Sequence, residues 1–346
     1  APLRLANLVV INRTTGAVQQ TLNLAWDLPM PFVTSTGVQE NRLVQSLPVM
    51  AAFVPDPNVP LHGKVYVALS NGAGTSAGLS LFHPGTVQVW RADFTRAQPL
   101  SPELGGRDPR HVTRTHVSDF YNPVALTHYA ARNGLNYLIL TDAGASLFGA
   151  DSILRPTTDA QLEFVDLDTE QFRDSWAVGL GQILPSVHLL ALGRDAANTS
   201  YGLLTSQTFA AVHVVELSGL QSNPVTAGRL GLLRTVDLVP GGSSTAGSGF
   251  QTDLILRPSG AFAVVSSFTT SSLQILALPA NITVGPFTSN PAPFDTLPLG
   301  TTRGFGLGAL ASMSGPGPEL YAVVNGHFSP LRNSFLGSFD AGGQLP

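Results

Sequence analysis

Short apolar segments separated by turn-forming residues recur along the chain. Residues 86–90 read TVQVW, with apolar and polar side chains in alternation. A period of two predicts a β-strand, because successive side chains of a strand point to opposite faces of the sheet. Gly, Pro, Asn and Asp interrupt these segments, and no long helical periodicity competes with them. The pattern therefore predicts an all-β protein.

The predicted strands group into a degenerate repeat. Each unit has a first apolar strand, a turn, a second strand rich in Tyr, Val and Ala, a variable connection, a third strand and often a fourth. The recognisable units begin near residues 48, 123, 186, 252 and 308. Repeated short strands of this kind are typical of the four-stranded blades of a β-propeller. We expect residues 1–346 to form a single propeller domain with five such units, six or seven blades being the alternatives.

Another pair of strands precedes the first unit. Residues 7–11 and 17–24 flank an Asn-x-x-Thr-Gly turn and predict a β-hairpin. We interpret residues 1–24 as the outer strands of a closing blade, whose inner strands come from the end of the chain. Ring closure of this kind would pair two sheet edges.

Two segments carry a resemblance to a known family. Residues 8–22 read LVVINRTTGAVQQTL, and residues 254–266 read LILRPSGAFAVVS. Both resemble the strand motifs of YncE-like and lactonase-like β-propellers. The resemblance covers strands of most units and no active-site residue. It implies a propeller fold and an exported location, as a periplasmic, cell-surface or extracellular protein.

The composition narrows the classes of function. Charged residues make up 12% of the chain, and the net charge is −4. Soluble domains usually contain about 25% charged residues, so a subunit interface is one explanation for the deficit. Clustered Lys and Arg are missing, which argues against nucleic-acid binding, and no segment has the roughly 18 uninterrupted apolar residues of a membrane helix. The chain has no cysteine and one lysine, Lys64.

The first residues, Ala1 and Pro2, follow no methionine and no signal peptide. This start indicates either that a targeting segment has been removed or that an upstream part of the chain is missing, and we favour the first, which again points to an exported protein.

The positions expected at the entrance of a central channel are mostly neutral. By their place before or at the first strand of a unit, these residues are Gln45, Asn122, Ser186, Gln251 and Asp253. Acid–base catalysis needs carboxylates or histidines with adjusted pKa values. We therefore predict no catalytic residues and no cofactor, and favour a non-enzymatic protein.

Asp166 and Asp168 are the candidates for a metal site. Alternate positions of a strand would place both carboxylates on one face, where they could bind calcium. The alternative is that these residues cap a turn through their own side chains.

Long connections distinguish the first two units. Residues 25–47, 71–84, 95–121 and 143–159 would emerge on one face of a propeller. The candidates for partner binding on these connections are Trp26, Phe32, Leu81, Phe82, His83, Phe120, Tyr121 and Phe148. Apolar and aromatic side chains of this kind form the anchors of protein interfaces. The alternative is that the connections fold back and bury these side chains against the blades.

These observations leave three hypotheses for function. The first is a non-catalytic binding or structural propeller, a subunit of an exported surface or envelope assembly. The second is a lactonase-like hydrolase or lyase with a metal ion in the central channel. The third is a carbohydrate-binding propeller.

Overall fold

A computed structural model describes most of the strands. The described residues are 7–12, 14–24, 29–33, 39–43, 45–74, 80–103, 110–112, 123–131, 134–144, 146–148, 154–156, 159–181, 191–194, 200–205, 211–237, 251–256, 262–267, 272–277, 295–298, 304–312, 320–326 and 334–339. The chain divides into two compact units. Unit 1 contains Ala1–Ala130 and Gly134–Ala177, and unit 2 contains Ala131–Asn133 and Val178–Pro346.

Unit 1 contains two larger antiparallel sheets and three hairpins. Its strands are β1 Asn7–Ile11, β2 Val18–Asn23, β3 Pro29–Val33, β4 Gln39–Leu43, β5 Gln45–Pro55, β6 His62–Gly74, β7 Ser80–Asp93, β8 Leu100–Pro102, β9 Arg110–Val112, β10 Pro123–Ala130, β11 Asn136–Asp142, β12 Ser146–Phe148, β13 Leu154–Pro156, β14 Ala160–Asp166 and β15 Gln171–Phe172. The first sheet has the order β5-β6-β7-β8, with β9 also paired to β7, and the second has the order β10-β11-β14-β15. The hairpins are β1-β2, β3-β4 and β12-β13. A short 3₁₀ helix, Asp174–Trp176, follows β15.

Unit 2 repeats the same plan. Its strands are β16 Val178–Gly181, β17 Ala191–Arg194, β18 Ser200–Thr205, β19 Ala211–Glu216, β20 Gly231–Asp237, β21 Gln251–Leu256, β22 Phe262–Ser267, β23 Ser272–Ala277, β24 Asp295–Pro298, β25 Gly304–Ser312, β26 Leu320–Gly326 and β27 Ser334–Phe339. They form sheets with the orders β17-β18-β19-β20, β21-β22-β23-β24 and β25-β26-β27. Two 3₁₀ helices, Ser218–Gln221 and Ala227–Arg229, lie between β19 and β20.

These sheets confirm the predicted all-β class. Five sheets begin with β5, β10, β17, β21 and β25, close to the predicted unit starts. The predicted N-terminal hairpin is present as β1 and β2. Closure of the ring and the single-domain organisation stay predictions.

The expectation of long loops between the second and third strands was wrong for the first unit. Residues 71–74 and 80–84 extend β6 and β7, and their backbones pair as Asn71↔His83 and Gly74↔Ser80. The Gly and Ser residues in this segment are typical of turns. An antiparallel ladder nevertheless forms through backbone N–H and C=O groups, which Gly and Ser provide as well as any other residue. The segments 25–47 and 143–159 likewise contain the hairpins β3-β4 and β12-β13.

The core of unit 1 depends on β6, whose two faces pack against different neighbours. Val65, Val67 and Leu69 belong to a cluster completed by the β1-β2 hairpin. Tyr66 and Ala68 belong to a second cluster completed by β10, β11 and β14 of the second sheet. Both faces of this strand are therefore buried, which explains why it lacks a regular alternation of apolar and polar residues.

Glutamine side chains attach the hairpin to the first sheet. The amide of Gln20 donates to Leu100 O at 2.7 Å and accepts from Leu100 N at 2.8 Å, as a neighbouring strand would. The buried Gln88 donates to Leu24 O at 3.4 Å. These contacts satisfy backbone groups that would otherwise be buried without partners.

We expect Gln20→Ala to lower the free energy of unfolding by about 1–3 kcal/mol, because it leaves both backbone groups of Leu100 unpaired. Urea unfolding followed by fluorescence measures the change. Gln19→Ala is the matched control, since Gln19 is exposed on the same strand and its loss should cost less than about 0.5 kcal/mol. Equal effects of the two substitutions would contradict this role for Gln20.

A buried histidine lies in the middle of a sheet of unit 2. His213 of β19 has its Nδ1 atom 2.9 Å from Thr235 Oγ1. Its Nε2 atom has no hydrogen-bond partner among the residues that the structure describes. Burial lowers the pKa of His213 from 6.5 to about 4, because the charged imidazolium loses its hydration.

We expect the chain to lose stability as the pH falls from about 6.5 to 4, because the unfolded chain binds a proton at His213 before the folded chain does. The contribution is fully present above pH 6.5, and its loss by pH 4 amounts to at most about 3 kcal/mol. Denaturant unfolding of wild type and His213→Gln between pH 7.5 and 4 measures the difference. The variant should show the flatter dependence, and identical slopes would contradict the prediction.

Candidate functional site

Several of the predicted site residues lie outside the described residues: Trp26, Phe120, Tyr121, Asn122 and Ser186. Others are described by their backbone position alone: Phe32 in β3, Gln45 in β5, Leu81, Phe82 and His83 in β7, Phe148 in β12, and Gln251 and Asp253 in β21. Gln45 and Phe82 occupy the same level of the first sheet, because both pair with Gly72 of the intervening strand β6. Whether these residues bind a partner stays a prediction.

The two candidate metal ligands lie at the end of β14. Asp166 Oδ2 accepts from Arg173 Nε at 3.2 Å and from Nη2 at 2.6 Å, while Oδ1 accepts from the backbone N of Asp168 at 3.0 Å. This is the geometry of a turn capped by an aspartate. No group of three or more His, Asp or Glu residues suited to a metal ion is present in the described part of the chain.

A larger constellation that includes Asp168 lies at this same edge of the two sheets, where β5, β10 and β14 end and β6 and β11 begin. Above the core cluster, the first sheet continues with Val54, Lys64 and Arg91, which share one face because they are register partners. The second sheet contributes Asn136 and the turn after β14. The two facing surfaces diverge there and leave a cleft of about 500 Å³.

The ammonium of Lys64 connects the two sheets beside this cleft. Lys64 Nζ lies 2.5 Å from Glu103 Oε1, at the end of β8, and 2.7 Å from Glu170 Oε1, in the turn between β14 and β15. The hydroxyl of Tyr66 donates to the same Glu170 oxygen at 3.0 Å. Glu170 has a positive φ of 51°, a conformation that non-glycine residues seldom adopt. We interpret this conformation as a consequence of holding its carboxylate against Lys64 and Tyr66.

The cleft is lined by polar groups of both signs and by apolar walls. The lining residues are Val54, Pro55, Asp56, Pro57, His62, Gly63, Lys64, Tyr66, Arg91, Ala92, Asn136, Leu167 and Asp168. Asp56 Oδ1 accepts from the backbone N of Asn58 at 2.8 Å. Asn136 Oδ1 lies 3.0 Å from His128 Nε2. The side chains of Asp56 and Asn136 are therefore fixed in orientation before any ligand binds.

The other side of this edge carries exposed apolar side chains. We call Phe53, Val59, Leu61 and Phe94 the turn surface. The rings of Phe53 and Phe94 contact each other edge to face, with their centroids 5.2 Å apart. Each of the two residues is nevertheless 38% exposed to solvent. Phe53 also lies over Gly63, where an added Cβ would come within 2.7 Å of its ring and would clash with Val54 O.

Leu61 is the least expected residue of the turn surface. It is 62% exposed and has a φ of 62°, a conformation normally left to Gly, Asn or Asp. Its carbonyl accepts from Phe94 N at 2.9 Å, which fixes the backbone between two turns. An exposed leucine with a strained backbone contributes little to the fold, and such residues concentrate at functional sites.

Ion pairs support the turns behind this surface. Asp93 lies 2.7 Å from Arg96 Nε and 3.3 Å from His62 Nε2. The hydroxyl of Thr95 donates to Asp93 and, with the Thr95 N–H and the charges of His62 and Arg96, holds the pKa of Asp93 below its usual value, although desolvation opposes the shift. The carboxylate thus caps the turn between β7 and β8.

The ion pairs of this edge limit the chemistry that Lys64 can perform. The ion pairs of Lys64 use its ammonium form, whereas nucleophilic catalysis needs the neutral amine. Glu103 and Glu170 pair with Lys64 beside the cleft, and the carboxylates among the lining residues are those of Asp56 and Asp168, both of which are exposed. Sequence reasoning singled out one lining residue, Asp168, but not the cleft itself, because the ion pair beside the cleft joins Lys64 to Glu170, 106 residues away. The available signal was that the chain has a single lysine.

Comparison with known proteins supports the fold. No protein-family model and no curated protein matches the chain. The structure of the periplasmic gluconolactonase of Pseudomonas aeruginosa is similar, with a TM-score of 0.50 and 16% identity over 98% of this chain and 80% of that chain. A putative 6-phosphogluconolactonase from Bacteroides fragilis has a TM-score of 0.46 and 14% identity over 100% of this chain and 82% of that chain.

The dihydro-heme d1 dehydrogenase NirN has a TM-score of 0.49 and 10% identity over 99% of this chain. This chain spans about half of NirN, 52% of its length. At these identities the likeness concerns the fold alone. The likeness to the gluconolactonase structure, together with the repeated antiparallel sheets, places the chain in the class of all-β proteins with a β-propeller fold. The described residues include no helix long and apolar enough to span a membrane.

We expect Lys64 and Glu170 to be coupled energetically across the two sheets. A double-mutant cycle of Lys64→Met and Glu170→Gln should give a coupling energy of about 1 kcal/mol in unfolding experiments. The matched pair Arg229→Met and Glu216→Gln, whose arginine is more exposed, should give less than about 0.5 kcal/mol. Additive effects of Lys64→Met and Glu170→Gln would contradict an inter-sheet ion pair.

Proposed function

We propose that this chain is a non-catalytic β-propeller that binds a protein partner in an exported surface or envelope assembly. The single observation that carries the proposal is Leu61, an exposed leucine held in a left-handed conformation at the centre of the turn surface. A turn selected for stability alone would have Gly or Asn at this position.

The neighbours of Leu61 support a binding role. The rings of Phe53 and Phe94 contact each other edge to face, the Phe94 N–H donates to the Leu61 carbonyl, and Val59 belongs to the same turn as Leu61. Interface anchors are typically aromatic or large apolar side chains that are held in place before binding. The low charge of the chain is consistent with surface that becomes buried in an assembly.

This proposal differs from the sequence-based hypothesis in where the partner binds. The predicted anchors Leu81, Phe82 and His83 lie at the far end of β7, whereas Phe94 follows the opposite end of that strand. Contact through residues 71–84 remains part of the proposal as a second region. The turn surface is the better supported region, because it combines exposed apolar side chains with the left-handed backbone of Leu61.

The lactonase-like alternative keeps a basis in the solved structures with that printed name. It requires a metal ion held by carboxylates and amides in a channel. The described residues provide no such group, and the candidate channel positions Gln45, Gln251 and Asp253 are described by their backbone alone. An export location agrees with the resemblance of the strand motifs and is part of the proposal.

We expect Leu61→Asn to separate binding from stability. Asparagine tolerates a positive φ, so the free energy of unfolding should stay the same or rise by up to about 1 kcal/mol. Loss of the apolar anchor should reduce the recovery of a stoichiometric partner by roughly tenfold or more. The measurement is affinity purification of tagged chain from the envelope fraction of its own organism, followed by light scattering on the purified complex.

Leu232→Asn is the matched control, because Leu232 is also an exposed leucine, at 40%, but lies in β20. It should retain the partner. Equal recovery with Leu61→Asn and wild type, or a wild-type chain that purifies alone as a monomer, would contradict the proposal. Metal-dependent hydrolysis of lactones by the purified chain would favour the alternative.

A further inference from the structure

We infer that the cleft beside Lys64 is a binding site for a neutral saccharide. This site is distinct from the turn surface, because it lies on the side of the first sheet that faces the second sheet. The inference concerns a further ligand and does not depend on the protein partner proposed above.

The dimensions and walls of the cleft suit a small ring-shaped ligand. Its volume of about 500 Å³ lies within the range of roughly 300–1,000 Å³ that is typical of small-molecule sites. Val54, Pro55, Pro57 and Leu167 give it apolar walls. The C–H faces of a sugar ring need such surfaces, whereas its hydroxyls need polar ones.

The polar lining offers donors and acceptors in close proximity. Asp56 and Asp168 present carboxylate acceptors, Arg91 presents donors, and the Asn136 amide has both. A sugar hydroxyl donates one hydrogen bond and accepts others, so it can be satisfied by neighbouring groups of both kinds. A ligand with acceptors alone, or with donors alone, would leave part of this lining unmatched.

The orientation of the polar groups is set within the protein. The Asn58 N–H orients Asp56, and contacts with His128 and with Gly134 O orient Asn136. On the other wall, Arg91 Nη2 lies 3.5 Å from Glu103 O. Pre-oriented groups reduce the entropy that a ligand loses on binding, which matters for weakly binding polar ligands.

The charges of the cleft favour a neutral ligand over an ion. An anion would meet the exposed carboxylates of Asp56 and Asp168, while Lys64 is already engaged by Glu103 and Glu170. A cation would meet Arg91 and Lys64. Placing like charges together is unfavourable in either case. A neutral, polyhydroxylated ligand forms hydrogen bonds with both kinds of group without this cost.

The test is a microarray of neutral, sulfated and phosphorylated glycans, probed with the full chain, followed by calorimetric titration with the neutral glycan that binds best. Arg91→Ala and Asp168→Ala remove lining groups from exposed positions, so the fold should persist. We expect each substitution to weaken binding by roughly tenfold, as loss of a hydrogen bond to a charged group does. Asp159→Ala and Arg229→Ala, at exposed positions outside the cleft, should leave the affinity unchanged.

The other results of the glycan experiments would contradict the saccharide site. The inference would be overturned if the chain retained no neutral glycan, or if it preferred sulfated or phosphorylated glycans. It would also be overturned if Arg91→Ala and Asp168→Ala bound the neutral glycan as tightly as wild type. Leu61→Asn should bind the glycan as wild type does. Loss of partner binding together with intact glycan binding therefore separates this site from the turn surface.

Discussion

The structure of unit 1 depends on β6, a central strand of the first sheet that is buried on both faces. Val67 of β6 contacts the N-terminal hairpin cluster, and its neighbour Tyr66 contacts the cluster shared with the second sheet. A strand in this position cannot present a polar face to water. This constraint explains part of the low charge of the chain, because a strand that is buried on both faces has few positions for charged side chains.

The same constraint determines where chemistry can occur. The facing surfaces of the two sheets exclude water in the middle, and polar side chains gather where the sheets diverge. Lys64 crosses that gap to Glu170, and the cleft opens beside the ion pair. On the other side of the edge, the backbone hydrogen bond from Phe94 to Leu61 fixes exposed apolar side chains between two turns. The edge thus combines a pre-oriented polar cleft with a rigid apolar surface.

Local features of the fold were predictable from the sequence, and contacts between distant segments were not. The hairpin of β1 and β2 follows from a turn signal between two alternating strands, all within residues 7–23. The pairing of Gln20 with Leu100 joins segments 80 residues apart and has no sequence signature. The extension of β6 and β7 past residue 70 was missed, because backbone pairing can include Gly and Ser that otherwise indicate loops.

The site was predictable only in part, for a related reason. The turn at Asp166 and Asp168 was one of two interpretations of that motif, and the structure has the geometry of the turn. The turn surface was not predicted, since nothing in the sequence marks Leu61 as having a positive φ. The inference depends on the exposure of Leu61 and on its positive φ together, and neither property can be recognised without the three-dimensional structure.

The central claim is that the turn surface binds a partner, and site-specific photo-crosslinking tests it most directly. A photoreactive phenylalanine analogue would replace Leu61 in one variant and Leu232 in another, and each variant would be expressed in the source organism. The account predicts one discrete crosslinked partner from position 61 and none from position 232. No crosslink from position 61, or the same products from both positions, would contradict it.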